Sequence, residues 1–312
     1  MRAFAVVGAL TLAACNTLGA VPARDAGPSG PDAPSLDAAA APDAASVDAF
    51  VAGAETRSLT IGPFHVEVGV EQTLCVSLDL GNASPMMLRA VRTHVTDGSH
   101  HLVVSRVDGT SPAPTPTPCA PLTHGIGQAI FIAESHESGI TYPDRTGLRM
   151  DAHQIVGLEL HMIDVTPDAL DIAGTVDFDL VPIDPALREV RILFEGDFSL
   201  GLPPHVDTVA TSYFPMTPGT EILALTTHTH QLGIDATLDV TTSESDPGTR
   251  VHESLDWSDP PLTLFSPSLV MGPADQLRLT CTFRNTTDRY VGFGTGFDDE
   301  MCFFWAYYLD PL

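Results

Sequence analysis

Apolar and polar residues alternate with a period of two in stretch after stretch of this chain: Val66-Glu67-Val68-Gly69-Val70, Val176-Asp177-Phe178-Asp179-Leu180, Ile234-Asp235-Ala236-Thr237-Leu238-Asp239-Val240 and Leu277-Arg278-Leu279-Thr280-Cys281-Thr282-Phe283. That period puts side chains on alternate faces of an extended strand and does not fit a helix. Clusters of Pro, Gly and Asp separate the stretches, and no long 3.6-residue stripe appears. The chain is expected to be all-β, made of short antiparallel strands whose inner faces form sandwich cores. The break Val181-Pro182-Ile183-Asp184-Pro185 divides the folded part into residues 57–184 and 185–312. The expectation is two consecutive jelly-roll-like β-sandwich domains with a cleft between them.

Met1-Arg2 and the apolar run Ala3 to Ala14 are too short to span a bilayer and read as an export signal. The ending Leu12-Ala13-Ala14-Cys15 is like a bacterial lipobox, which makes Cys15 a lipidation site and places the chain at the cell envelope; an ordinary signal peptide that contains a cysteine is the alternative. Residues 16–56 are Ala, Pro, Asp, Ser and Gly with almost no large apolar residue, a composition that cannot offset the entropy of ordering and suits a disordered tether. Without Cys15, four cysteines remain (75, 119, 281 and 302), an even number suited to structural disulfides in an oxidising compartment. The net charge is -26 and the 14 basic residues are all Arg. An acidic chain without lysine is a poor nucleic-acid binder and lacks a Schiff-base or P-loop lysine. No Ser-His-Asp, Cys-His or phosphate-loop pattern stands out.

The candidate chemistry lies in Thr226-Thr227-His228-Thr229-His230-Gln231-Leu232-Gly233. On a strand His228 and His230 share a face, at a spacing a transition metal can bridge. Two ligands do not complete a site, and further ones are offered by His100-His101, by His161 in Leu-Glu-Leu-His, and by Met301 in Asp-Glu-Met-Cys. Adjacent His100 and His101 can serve one ion only where the strand is bent, which Thr96-Asp97-Gly98-Ser99 allows. His161 alternates with Glu159 against Leu158, Leu160 and Met162 and should face away from the sandwich core. Any one of these residues alone reads more simply as a core or surface side chain.

Taken in order, HHL, LELH, HTHQLG and DEMC followed by a Tyr-Tyr strand resemble the copper type II, ascorbate-dependent monooxygenases, over roughly residues 57 to 312. The resemblance implies an oxidoreductase with two coppers. His100, His101 and His161 would hold the electron-storing ion, and His228, His230 and Met301 the oxygen-binding ion where hydroxylation occurs. It supports pairing Cys75 with Cys119 and Cys281 with Cys302, which keeps each bridge within one half. Because the sets fall in different halves, they are expected to load independently. Two imidazoles and a thioether suit Cu(I), whereas zinc favours a fourth hard or thiolate ligand.

The departures from the family concern the substrate. Its peptide-amidating members hold a carboxylate with an Arg before the first His of HTH and an Asn and a Tyr after the Met; here these positions are Thr226, Phe303 and Trp305. Without an Arg the pocket cannot hold a carboxylate bidentately, and a small apolar or aromatic substrate is expected. Met162 replaces a common aromatic residue. Ascorbate or a similar donor would be co-substrate with O2. The rival readings are a copper-sequestering surface lipoprotein without turnover and, from another class, an adhesion module. The remaining histidines, 65, 94, 124, 136, 153, 205 and 252, are read as structural or surface residues.

Overall fold

The computed structural model describes residues 54–109, 111–122 and 129–312, and among these there is no helix. The predicted signal with Cys15, and the tether up to residue 53, lie outside the described residues, as does His124. In the first half the strands are β1 (Glu55–Val66), β2 (Glu71–Asp79), β3 (Met86–Val95), β4 (Ser99–Arg106) and β5 (Ala113–Pro118). They continue with β6 (Ala129–Ala133), β7 (Glu137–Thr141), β8 (Thr146–Met150), β9 (Ile155–Ile163) and β10 (Leu170–Pro182). Then follow β11 (Arg188–Glu189), β12 (Arg191–Gly196), β13 (Gly201–Leu202), β14 (Asp207–Pro215), β15 (Glu221–His228) and β16 (Gly233–Thr241). The last are β17 (Thr249–Ser254), β18 (Thr263–Val270), β19 (Gln276–Arg284), β20 (Val291–Gly292) and β21 (Phe303–Leu309).

Three of the four alternating stretches lie within single strands: β10, β16 and β19. The fourth does not. β1 ends at Val66 and the chain turns through Glu67–Val70, leaving Val68 and Val70 exposed, so the alternation there has no sheet face to match. β1 also begins two residues earlier than expected, taking Glu55 and Thr56 from the predicted tether.

The strands form five sheets, with the orders β1-β10-β3-β8-β11 (β7 also pairs β3), β5-β2-β9-β4-β6, β12-β21-β15-β18, β14-β19-β16-β17 and β13-β20. Their ladders are antiparallel except β11 with β8. The described residues make one compact unit. Both disulfides are present, Cys75–Cys119 and Cys281–Cys302, as expected of an oxidising compartment. No helix is long and apolar enough to cross a membrane.

The sheet β12-β21-β15-β18 positions the candidate site. Trp305, Tyr307 and Leu309 of β21 join the core built on the first half, while Phe304 and Ala306 join a second core with Leu277, Leu279 and Phe283. The central strands β15 and β21 are thus buried on both faces and read as near-continuous apolar runs rather than alternating ones, whereas the edge strands β12 and β18 are only partly covered. On β15 the register shifts between Ile222 and Ala224. After this bulge Ala224 faces the first core and Leu225 the second, so Thr226 and His228, in step with Ala224, turn toward the first half.

Candidate metal centre

The first histidines are set by a bulge. β4 pairs β9 with Ser99 opposite Met162 and His101 opposite His161, leaving His100 as the extra residue without a partner. The bulge re-aims its side chain, so neighbours that a regular strand would send to opposite faces meet on one side. The turn before it depends on Gly98, which has φ +82° and where a Cβ would meet Ile172 Cδ1 at 2.6 Å. Ring centroids are 5.1 Å apart for both His100–His101 and His100–His161, and 4.9 Å for His101–His161. His161 is opposite in facing to Leu158, Leu160 and Met162, which pack into the first core, yet it is itself buried among the other imidazoles.

His228 is the last residue of β15 and His230 lies just beyond it, where the chain turns with Gly233 N–H donating to the His230 carbonyl at 2.9 Å. Their rings are 5.0 Å apart and nearly perpendicular. The two predicted sets are not separate. His100 is 5.5 Å from His228 and 5.2 Å from His230, ring to ring, so the five imidazoles make one cluster across the two halves of the sequence. Nitrogen atoms of His100, His101 and His161, and likewise of His100, His228 and His230, lie within 4.8 Å of one another.

His101 Nε2 and His161 Nδ1 are hydrogen-bonded to each other at 3.2 Å, and His161, His228 and His230 each have a nitrogen committed to a partner that carried no motif in the sequence. His228 Nδ1–H donates to Glu134 Oε2 at 2.6 Å, and both side chains are buried, 3% and 6% exposed. His230 Nδ1–H donates to the Asp299 carbonyl at 2.9 Å, and His161 Nε2–H to Glu71 Oε1 at 2.8 Å. These bonds set the tautomers, leaving a lone pair on Nε2 of His228 and His230, while Nδ1 of His161 accepts from His101 Nε2–H and so leaves the lone pair of His101 on Nδ1. Glu71 also accepts from Phe297 N–H at 2.9 Å, a second link between the halves.

Met301 is 1% exposed and follows Glu300, which is fully buried. Glu300 accepts the backbone N–H of His230 at 2.9 Å, of Leu232 at 2.7 Å and of Met301 at 3.3 Å, fastening the Met301 segment to the HTH turn. Cys302, bridged to Cys281, fixes the other side of Met301.

Burial disfavours the charged form of His100, His101, His161 and His230, as metal ligation requires. Desolvation, with the neighbouring rings adding to it, pushes His100 and His101 well below the ordinary histidine value and His230 down to about 3. For His161 burial outweighs the opposing pull of Glu71 and the shift is again downward. Burial raises Glu300 to about 7 against the pull of its three N–H donors. His100 Nε2 and His101 Nδ1 are buried without a hydrogen-bond partner. Orphaned buried nitrogens within a cluster of imidazoles fit a metal ion, and an imidazole-rich set fits copper.

Of the predicted pocket residues, Thr226 Oγ1–H donates to the Pro261 carbonyl at 2.8 Å and pairs across the sheet with Trp305. Trp305 lies 6.0 Å from His228, ring to ring. Phe303, opposite His228, sits among Phe194, Phe198 and Phe293 at 5.2, 4.9 and 5.4 Å. The aromatic partners, scattered over the sequence, carried no motif. Of the other described histidines, His65, His94, His136, His153 and His205 are exposed beside carboxylates, while His252 is buried between Thr227 and Thr263.

Residues 207–312 match the family model for the C-terminal domain of copper type II ascorbate-dependent monooxygenases. His228, His230 and Met301 fall inside the matched residues; His100, His101 and His161 fall outside them. None of the curated proteins matches the chain. Among solved structures it is similar to the major capsid protein P2 from bacteriophage PM2, at 8% identity over 82% of this chain and 97% of that one, with a TM-score of 0.33. It is similar also to PNGase F, a glycosylasparaginase from Flavobacterium meningosepticum, at 9% identity over 81% and 96% of the two chains, TM-score 0.33. At such TM-scores these likenesses carry no argument about fold or function.

Proposed function

We propose that the protein is a copper-dependent monooxygenase that hydroxylates a C–H bond of a small apolar or aromatic molecule with O2 and an ascorbate-like donor. The observation that supports it most is the convergence of five imidazoles, four of them buried and His100 half-buried, next to a segment that matches the copper monooxygenase domain. Two copper ions, when bound, would supply one-electron redox chemistry and activation of dioxygen. His100, His101 and His161 would hold one ion, and His228, His230 and Met301 the other. Glu134, Glu71 and the Asp299 carbonyl orient the rings, and Glu300 holds the HTH turn against Met301. Phe303 with Phe194, Phe198 and Phe293 offers an apolar wall, and Thr226, already bonded to Pro261, offers no grip for a carboxylate. The architecture we propose is a pair of jelly-roll-like sandwiches, the first beginning with β1 at Glu55 and the second at residue 185, tethered through the preceding segment from residue 16 to a lipid on Cys15 at a bacterial cell envelope, with no nucleic-acid partner.

The test is reconstitution of disulfide-intact protein with copper. Two equivalents per chain and an ascorbate-driven product carrying one atom from O2, on a panel of small aromatic compounds, are expected. A single equivalent, or preferential retention of zinc, refutes the two-site reading; two coppers without product favour sequestration.

A further inference from the structure

The strand that carries His228 loses one of its neighbours just before that residue. β15 lies between β21 and β18, and its ladder to β21 runs on through Thr226, Thr227 and His228, opposite Trp305, Phe304 and Phe303. Its ladder to β18 stops at Leu225, opposite Thr263. The last three residues of β15 are therefore paired along the backbone on one side only. A strand end without a neighbour opens locally more readily than one paired on both sides. Side chains take the place of the missing ladder. Thr226 Oγ1–H donates to the Pro261 carbonyl at 2.8 Å, and Thr227 Oγ1 is hydrogen-bonded to His252 Nε2 at 3.0 Å. His252 Nδ1 is bonded in turn to Thr263 Oγ1 at 2.8 Å, and Thr263 is the residue at which the β18 ladder ends. His252 thus bridges the last paired residue of β18 and the unpaired end of β15, and it does so from β17, a strand of a different sheet.

His252 is 3% exposed and Thr227 is fully buried, so water does not compete for these bonds. A neutral imidazole has one N–H and one lone pair, and a threonine hydroxyl can donate or accept, so the ring satisfies both hydroxyls at once. Glu300 and the Asp299 carbonyl act on the HTH turn from the β21 side, and Glu134 acts from the first half. Among the described residues the β18 side is left to Thr226 and His252. We infer that His252 is a positioning residue for the second copper set: through Thr227 it holds the unpaired end of β15 in register and so fixes the direction in which His228 is presented. The inference rests on the copper reading above and adds a group, outside the ligands, on which that set depends. Because the bridge is built from the second half alone, the first set should not feel its loss.

Amide side chains separate the two bonds, since a Gln amide reaches the place of Nε2 and an Asn amide that of Nδ1. His252→Gln therefore keeps the bond to Thr227, and His252→Asn keeps only the bond to Thr263. Thr227→Val removes the hydroxyl at nearly constant bulk. The full chain, disulfides intact, is loaded with copper, and anaerobic Cu(I) competition with a chromophoric chelator reads each equivalent. His252→Asn and Thr227→Val should each weaken about tenfold the equivalent that His228→Ala removes, leaving the other at native affinity. The double variant should lose no more than either alone, because both changes break one bond, and His252→Gln should stay within about threefold of native. Native affinity in His252→Asn, equal losses in the Asn and Gln variants, loss at both equivalents, or additive losses overturn the inference. Thr227→Val leaves the ring in place, so the test stands even where a His252 variant fails to fold. Amide hydrogen exchange of the metal-free chain separates this inference from the copper reading. Exchange over residues 226–230 should quicken in His252→Asn and Thr227→Val but not in His252→Gln, and unchanged exchange overturns the bridge. A native chain that binds fewer than two coppers yet shows that exchange pattern refutes the copper reading and leaves the bridge standing.

Discussion

Glu134→Ala removes one carboxylate from the first half, and the loss should be read in the second copper set. Glu134 Oε2 lies 2.6 Å from His228 Nδ1, with the side chains 6% and 3% exposed, so little water can replace the lost acceptor. Leaving the Nδ1–H buried and unpaired costs about 1–3 kcal/mol. The loss also frees the tautomer and the ring angle, and removal of such an outer partner typically lowers metal affinity 10–100-fold, or about 1.4–2.7 kcal/mol. The two estimates agree, so the predicted loss at the His228/His230/Met301 set is one to two orders of magnitude in Cu(I) affinity. Glu134→Gln keeps an acceptor oxygen in reach and should lose less than about tenfold. The assay is anaerobic Cu(I) competition on both variants, with thermal unfolding of the metal-free proteins alongside to separate ligand orientation from global loosening. A Glu134→Ala protein that keeps native affinity at both equivalents, or loses only the first, would refute the assignment of Glu134 as the group that orients His228.

Met301→Ile should keep the fold and most copper while abolishing oxygen-dependent turnover, since the swap conserves bulk and should cost less than about 1.5 kcal/mol of stability; productive oxygen consumption at the native rate would mean that Met301 is not a ligand. The metal-free protein should be acid-labile in part through His252, which burial lowers from 6.5 to about 4. In the window between those values the unfolded chain binds the proton and the folded chain does not, so this stability is present above pH 6.5 and is lost as pH falls toward 4, by roughly 3 kcal/mol in all. Urea unfolding at pH 7 and pH 4.5 should show a smaller acid loss in His252→Gln than in the native chain, and equal losses would rule out this contribution.

The period of two was enough to read an all-β chain, because β10, β16 and β19 each have one face turned to a core. It misled at Val66–Val70, where the alternation is local and a turn follows the strand. It was silent for β15 and β21, whose two faces are both buried and which therefore read as apolar runs. At the site, spacing singled out the histidines, and the bend expected at His100-His101 is the bulge of β4. The meeting of His100 with His228 and His230 was not legible, since it depends on which face of β15 turns toward the first half, and a bulge at Ile222/Ala224 sets that. Glu134 was invisible for a simpler reason: a single carboxylate after the buried run Ala129–Ala133 has no motif, and its partner is 94 residues away.

The two-faced sheet also bears on the order in which the molecule can be completed. Trp305, Tyr307 and Leu309 finish a core whose other members come mostly from the first half. A chain emerging from its amino end therefore cannot close that core until residues 303–309 have arrived, and folding in the usual sequence, early segment first, stalls with an apolar surface open. A seven-residue strand thus acts as a clasp on material made long before it.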